Sequence, residues 1–91
     1  MKYFNITEFD SPDELGSGEK MCEDFLDKID LARSKFDKPI NINSGYRSKA
    51  HNKKVGGKSK SSHLVGCAAD LHCNNSIDRY DLINCLLDVG F

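Results

Sequence analysis

The sequence lacks the features that mark several large protein classes. It has no apolar run near the roughly 20 residues of a transmembrane helix, and no apolar signal-peptide core at its N-terminus. It has no C-x-x-C pair, which makes a zinc-ribbon interpretation weak. Gly56-Gly57 is not part of a P-loop, so a nucleotide site is not indicated. We therefore expect a protein made in the cytoplasm, with no membrane partner.

The chain also lacks a strong net charge. Its formal charge is −1, which predicts no strong general attraction to nucleic acid or anionic membranes. One segment, from Arg47 to Lys60, is basic, but no aromatic residue lies between Lys49 and Lys60. Single-stranded nucleic acids usually need aromatic side chains on which bases stack. Nucleic-acid binding by this segment is therefore the weakest of the functional alternatives.

Hydrophobic periodicity predicts a small α+β domain. The 91 residues are enough for one domain, residues 1–91, that buries only about 60–65% of its unfolded surface. Residues 1–18 have the turn residues of an irregular lead-in, and a helix is expected over Glu19–Phe36. Ile40–Asn43 and Cys67–Cys73 read as strands, and residues 47–60 as a loop or a short helix plus loop. A second helix is expected from Ser76 to Val89, with an inner face formed by Tyr80, Ile83, Leu86 and Leu87.

The cysteines are expected to be buried, reduced thiols, because free cysteine is commonly a core residue. Their flanking residues are apolar or helical, as suits that interpretation. One or two disulfides are the alternative, and sequence alone does not set their connectivity. The four positions are Cys22, Cys67, Cys73 and Cys85.

The segment Ser61–Asp70 contains the strongest chemical signal. His63 and Asp70 lie seven positions apart with small residues between them, so both side chains can converge on one divalent ion, and zinc accepts both ligand types. Asp70 stands in an apolar segment, where a buried carboxylate needs a cation or strong donors. A metal shared with His63 meets that need, and a salt bridge to Arg47 is the competing solution.

Arg47 follows Ser44-Gly45-Tyr46 at the end of a predicted strand. Its guanidinium can hold a carboxylate through two hydrogen bonds. We expect it to point into the cleft of His63 and to bind an anionic group of a substrate, rather than to pair with Asp70. An ordinary surface arginine at the start of a basic loop is the alternative.

The segment Ile42–Leu71, with its S-x-H-x-x-G-x-A-x-D core, resembles the zinc D-alanyl-D-alanine carboxypeptidases (metallopeptidase family fifteen, subfamily A). The similarity runs from about Phe4 to Phe91. Such proteins are common in bacteria, in small phages and among phage endolysins. The resemblance implies a small antiparallel sheet with two main helices and a zinc site of the hedgehog and lysostaphin type. It also implies a protein released from the producing cell to act on the cell wall.

The same resemblance assigns roles to individual residues. It implies that His63 and Asp70 are zinc ligands and that Arg47 contacts the substrate or the developing oxyanion. Ser61 and His51 match motif positions near the site. The implied reaction is hydrolysis by a zinc-activated water, and the implied partner is the D-Ala-containing stem peptide of peptidoglycan.

The family's third zinc ligand is not found at its usual place. The resemblance implies that an H-x-D or H-x-H strand follows the second helix, and the sequence ends at Gly90-Phe91. His72 and His51 are the substitutes within the chain. A truncated gene product, self-association or a partner that completes the site is the stronger expectation. Three hypotheses follow: a zinc peptidase, an inactive metal-binding or structural domain, and a nucleic-acid-binding module.

Overall fold

The computed structural model describes residues 1–73 and 75–91. It has three α-helices, one pair of strands and three short 3₁₀ helices, which confirms the predicted α+β class. The 3₁₀ helices span Ile6–Phe9, Ser17–Lys20 and Ser62–Val65. The main elements are α1 (Glu23–Phe36), β1 (Asn41–Ser44), α2 (Lys49–Lys54), β2 (Asp70–His72) and α3 (Ser76–Asp88).

The sheet is antiparallel and has two strands among the described residues. Ile42 pairs with Leu71, and Ser44 pairs with Asp70 after an irregularity in the register. The second strand is shorter than the predicted Cys67–Cys73, because only its last part pairs with β1. This register places the start of β2 beside the end of β1, where Arg47 follows.

The core lies between α1 and the elements that pack on it. α1 buries a stripe at helical spacing, formed by Leu26, Ile29, Ala32 and Phe36. Phe9, from the first 3₁₀ helix, is fully buried in the same cluster. The predicted helix was too long at its start, because the segment Ser17–Lys20 forms a separate 3₁₀ turn and α1 begins only at Glu23. The lead-in is likewise not wholly irregular, since two 3₁₀ helices shape it.

The predicted inner face of α3 was largely wrong. Leu82 is the buried residue of this helix, and Cys85 and Leu86 pack partly against the core. The reason is that α1 packs on the side of α3 that carries these three residues. Helical spacing of about 100° per residue puts the other apolar stripe on the opposite side. That stripe is exposed, and it consists of Tyr80, Ile83 and Leu87.

The expectation of buried, reduced cysteines is also wrong, because none of the four is buried and two of them are not reduced. Cys22 and Cys67 form a disulfide with their Cα atoms 5.7 Å apart, while Cys73 and Cys85 are free. The pairing follows from a close backbone approach, in which the Cys22 N–H donates to the Gly66 carbonyl at 2.9 Å. Gly66 adopts a φ of 75° there. The disulfide joins the start of α1 to the segment between His63 and Asp70.

The helices of the described residues are too short or too polar to cross a membrane.

Gly45 is a position where a single carbon should be costly. A Cβ built there would lie 2.7 Å from the Phe9 Cα atom and 2.8 Å from the Phe9 carbonyl oxygen, both fixed backbone atoms. We expect Gly45→Ala to lower the free energy of unfolding by about 1–3 kcal/mol, as overpacking does. Urea denaturation followed by circular dichroism measures this change.

Gly56→Ala is the matched control for Gly45→Ala. The added carbon meets open space at Gly56, and only its φ of 76° is unfavourable. We expect Gly56→Ala to lower the free energy of unfolding by about 1 kcal/mol because of that backbone conformation. If Gly45→Ala were as stable as the unchanged protein, the backbone at Gly45, just after β1, would not be packed tightly against Phe9.

Candidate metal centre

His63 is held in place through its own backbone and one ring nitrogen. It lies in the 3₁₀ helix that starts after Ser61, and the Ser61 hydroxyl accepts a hydrogen bond from the His63 N–H at 3.2 Å. The ring is buried, and its Nδ1 lies 2.6 Å from the Gly45 carbonyl oxygen. A carbonyl oxygen only accepts, so Nδ1 carries the proton and a neutral ring has its lone pair at Nε2. Ser61 thus positions the backbone of His63, and the Gly45 carbonyl fixes the orientation of its ring.

Asp70 is the first residue of β2, and its side chain lies close to His63. Its Oδ2 atom lies 3.6 Å from His63 Nε2, so the structure brings these two predicted residues together. The expectation of a buried carboxylate was wrong, because the Asp70 side chain is 55% exposed. The two-stranded sheet leaves it uncovered on one side, and desolvation therefore does not by itself demand a cation here.

Arg47 is fixed by three hydrogen bonds from its guanidinium. Its Nε donates to Ser44 Oγ at 3.2 Å, Nη1 donates to Asn52 Oδ1 at 3.3 Å, and Nη2 donates to Asp70 Oδ2 at 3.1 Å. The expectation that Arg47 avoids Asp70 was therefore wrong. The strand register explains the pair, because Ser44 lies opposite Asp70 and Arg47 follows three residues later.

Sequence reasoning missed three groups that shape this site: the Ser44 hydroxyl, the Gly45 carbonyl and the Asn52 side chain. Asn52 is buried and links two segments, since its amide nitrogen also donates to the Lys58 carbonyl at 2.8 Å. Ser44 and Gly45 lie inside the segment Ile42–Leu71 that carries the resemblance, but a sequence does not show which hydroxyl or carbonyl faces a ligand. Asn52 had one usable signal, its place next to His51 in that segment.

His51 and His72 are not brought to the pair. His51 lies on α2 and lines a cavity of about 260 Å³ with Pro12 and Asp13. His72 is exposed at the end of β2, where it is paired with Asn41 in the register. Across residues 1–73 and 75–91, no three His, Cys, Asp or Glu side chains gather closely enough to hold a metal ion.

The Asp13 carboxylate connects α2 to the N-terminal lead-in. It accepts hydrogen bonds from the hydroxyls of Ser11 and Ser48, the latter at 2.6 Å. These hydroxyls hold the pKa of Asp13 below its ordinary value. Ser48 also caps α2 by accepting from the His51 N–H. This network fixes the helix that follows Arg47.

The pair of His63 and Asp70 fits zinc in donor type and spacing. Two ligand atoms on a tetrahedral zinc ion are about 3.3 Å apart, close to the 3.6 Å between Nε2 and Oδ2. A histidine ligand usually donates its other ring N–H to a carbonyl or carboxylate, as His63 does to Gly45. The fit covers two ligands, and a catalytic zinc site ordinarily has three from protein.

Comparison with known proteins identifies the family of this chain. Residues 4–91 match the family Peptidase M15. A zinc D-Ala-D-Ala carboxypeptidase from Streptomyces albus G is 57% identical over 35 residues, which are 38% of this chain and 14% of that protein. The match thus spans about a seventh of the relative's length. No solved structure matches the chain significantly. Because the family match covers nearly all residues, the chain belongs to the Peptidase M15 family.

Proposed function

We propose that this chain is a zinc-dependent peptidase that acts on D-Ala-containing stem peptides of peptidoglycan, as a D,D-carboxypeptidase or an endolysin-type endopeptidase. The observation that carries the proposal is the 3.6 Å approach of His63 Nε2 to Asp70 Oδ2, with Nδ1 anchored on Gly45. The name of the Streptomyces relative supports the metal and a substrate that contains D-Ala-D-Ala. The site would act on the cell wall, outside the cell that makes the protein.

His63 and Asp70 would hold the ion, and Arg47 would hold the substrate. A bound zinc ion polarises a carbonyl and lowers the pKa of its water toward about 7. The Arg47 guanidinium has five N–H donors, of which three are used by Ser44, Asn52 and Asp70 among the described residues. The two others can meet a peptide carboxylate. A third ligand and a general base would come from a second copy, a partner or further chain.

An inactive or structural metal-binding domain is the second candidate. The observation in its favour is that the described residues bring no third ligand to His63 and Asp70. Such a domain would bind zinc without hydrolysing peptide. It would gain stability from the ion, since a metal that binds only the folded state stabilises that state.

One experiment separates the two candidates. Metal-free protein is titrated with zinc in a calorimeter, and the loaded protein is incubated with an acetylated Lys-D-Ala-D-Ala peptide. Zinc binding with release of D-Ala supports the carboxypeptidase, and zinc binding with cleavage of a D-Ala-containing peptide cross-bridge supports the endopeptidase. Zinc binding with cleavage of neither substrate, in both the monomer and any zinc-induced dimer seen by sedimentation, supports the structural domain. No zinc binding at all would refute both.

Arg47→Lys tests the proposed substrate contact. Lysine keeps the charge but not the planar fork that holds a carboxylate. We expect KM for the peptide, measured at saturating zinc, to rise by about tenfold, the equivalent of one charge-assisted hydrogen bond. Zinc affinity should also fall, by at most the roughly 10–100-fold that loss of an outer partner of a ligand commonly costs, because Arg47 donates to Asp70 Oδ2. Steady-state kinetics and zinc titration measure the two quantities. An unchanged KM would remove Arg47 from the substrate site.

A further inference from the structure

A basic pocket lies beside the candidate metal centre. It has a volume of about 490 Å³, and its lining includes Lys49, Lys53, Asn52, Gly57 and Leu64. The two lysines are four residues apart, so they lie on the same side of α2. No acidic residue lines the pocket. We call this cavity the basic pocket.

The basic pocket lies in a segment of unusual charge. Six of the thirteen lysines and arginines of the chain, and none of its fourteen acidic residues, fall between Arg47 and Ala69. The rest of the chain therefore carries seven basic residues against fourteen acidic ones. Within residues 1–73 and 75–91, neither lysine of the pocket forms a salt bridge. Their positive charge is available to a ligand.

The wall of the basic pocket is shared with the site. Asn52 accepts a hydrogen bond from Arg47 Nη1 at 3.3 Å. Gly57 packs so closely that a Cβ there would lie 3.1 Å from the same nitrogen. Leu64 is the neighbour of His63 in the 3₁₀ helix. Asn52 thus links the basic pocket to Arg47, and Leu64 and His63 are adjacent in the chain, a separation that a short extended peptide can span.

We propose that the basic pocket binds a side-chain carboxylate of the peptide whose D-Ala end lies at His63 and Asp70. This rests on the proposed function and names a second feature of its substrate. The two lysines attract an anion. The excess of acidic residues elsewhere on the molecule repels a polyanion that is long enough to extend beyond the basic pocket. The molecule measures 34 × 25 × 20 Å, several Debye lengths at physiological salt, so an acidic residue repels an anion only where the anion passes close to it. A polyanion would meet the acidic surface, whereas one carboxylate would not.

The test compares matched peptides. Acetylated peptides that end in D-Ala-D-Ala carry a Glu one, two or three positions before that dipeptide, and a second series carries Gln instead. Binding is measured by calorimetry on the whole chain, without zinc. We expect at least one Glu peptide to bind about fivefold tighter than its Gln counterpart, the effect of two exposed charge pairs. The preference should fall as salt is raised, because exposed charges are screened.

Variants then locate the preference. Lys49→Gln/Lys53→Gln should reduce the Glu-to-Gln ratio to about one, and glutamine keeps the helix propensity of lysine. Lys2→Gln/Lys35→Gln, which makes the same change of charge outside the basic pocket, should leave the ratio unchanged. Circular dichroism confirms folding, and the salt dependence in the unchanged protein tests the proposal without any variant.

Several results would overturn the basic pocket as a carboxylate site. They are equal binding of every Glu and Gln pair, no binding of either series, a preference that survives Lys49→Gln/Lys53→Gln, and tighter binding of a 20-nucleotide DNA strand. The proposed function fails separately. If the Glu preference is present but the protein binds no zinc, the carboxylate site stands and the peptidase proposal does not.

Discussion

His63→Ala is expected to abolish zinc binding and peptidase activity together. Removal of an outer hydrogen-bond partner of a ligand commonly weakens metal affinity by about 10–100-fold, so loss of a ligand should exceed about 100-fold. Asp70→Asn should give a similar result with less effect on folding, because the Asp70 side chain is 55% exposed. Zinc titration and release of D-Ala from a Lys-D-Ala-D-Ala peptide measure both effects.

His51→Ala and His72→Ala are the matched controls. Each removes one imidazole from a position that the structure does not bring to the pair. We expect zinc affinity to stay within about twofold of the unchanged protein, the size of an ordinary surface effect. A large loss in either variant would identify that histidine as a third ligand. Full zinc affinity in His63→Ala would contradict the candidate metal centre itself.

The motif predicted which residues meet, but not their surroundings. His63, Asp70 and Arg47 come together because the strand register and the 3₁₀ helix bring distant backbone segments to one place. Ligand types and small residues in a fixed order were enough to indicate this. The exposure of Asp70 and its contact with Arg47 depend on which elements cover the sheet, and the local sequence does not specify that.

The prediction of the inner face of α3 was wrong for a related reason. The helix has apolar residues on two opposite sides, and periodicity alone does not say which side meets α1. The packing selects Leu82 and leaves Tyr80 exposed. The disulfide was not predictable either, because its two cysteines, 45 positions apart in sequence, approach only through the close contact of Gly66 with the backbone just before α1. Such contacts are set by tertiary structure.

Loss of the disulfide is expected to have the largest effect on stability. Cys22 and Cys67 are 45 residues apart, and closing a loop of that length in the unfolded chain corresponds to about 4 kcal/mol by the chain-entropy relation. Small domains have about 5–15 kcal/mol of stability in all. We expect Cys22→Ser/Cys67→Ser to lower the free energy of unfolding by about 3–4 kcal/mol in urea denaturation of metal-free protein.

Dithiothreitol should reproduce the effect in the unchanged protein. It would reduce the disulfide to two thiols while it is itself oxidised to its cyclic disulfide, and Cys67 is exposed enough to be attacked. Cys73→Ser is the control, since Cys73 is free and its replacement should leave stability within about 0.5 kcal/mol. Zinc affinity should also be lower in Cys22→Ser/Cys67→Ser, which adds no thiol that could bind zinc, because Cys67 anchors the segment that spaces His63 from Asp70. An unfolding midpoint unaffected by dithiothreitol would show that the Gly66 contact, rather than the covalent bond, holds this segment.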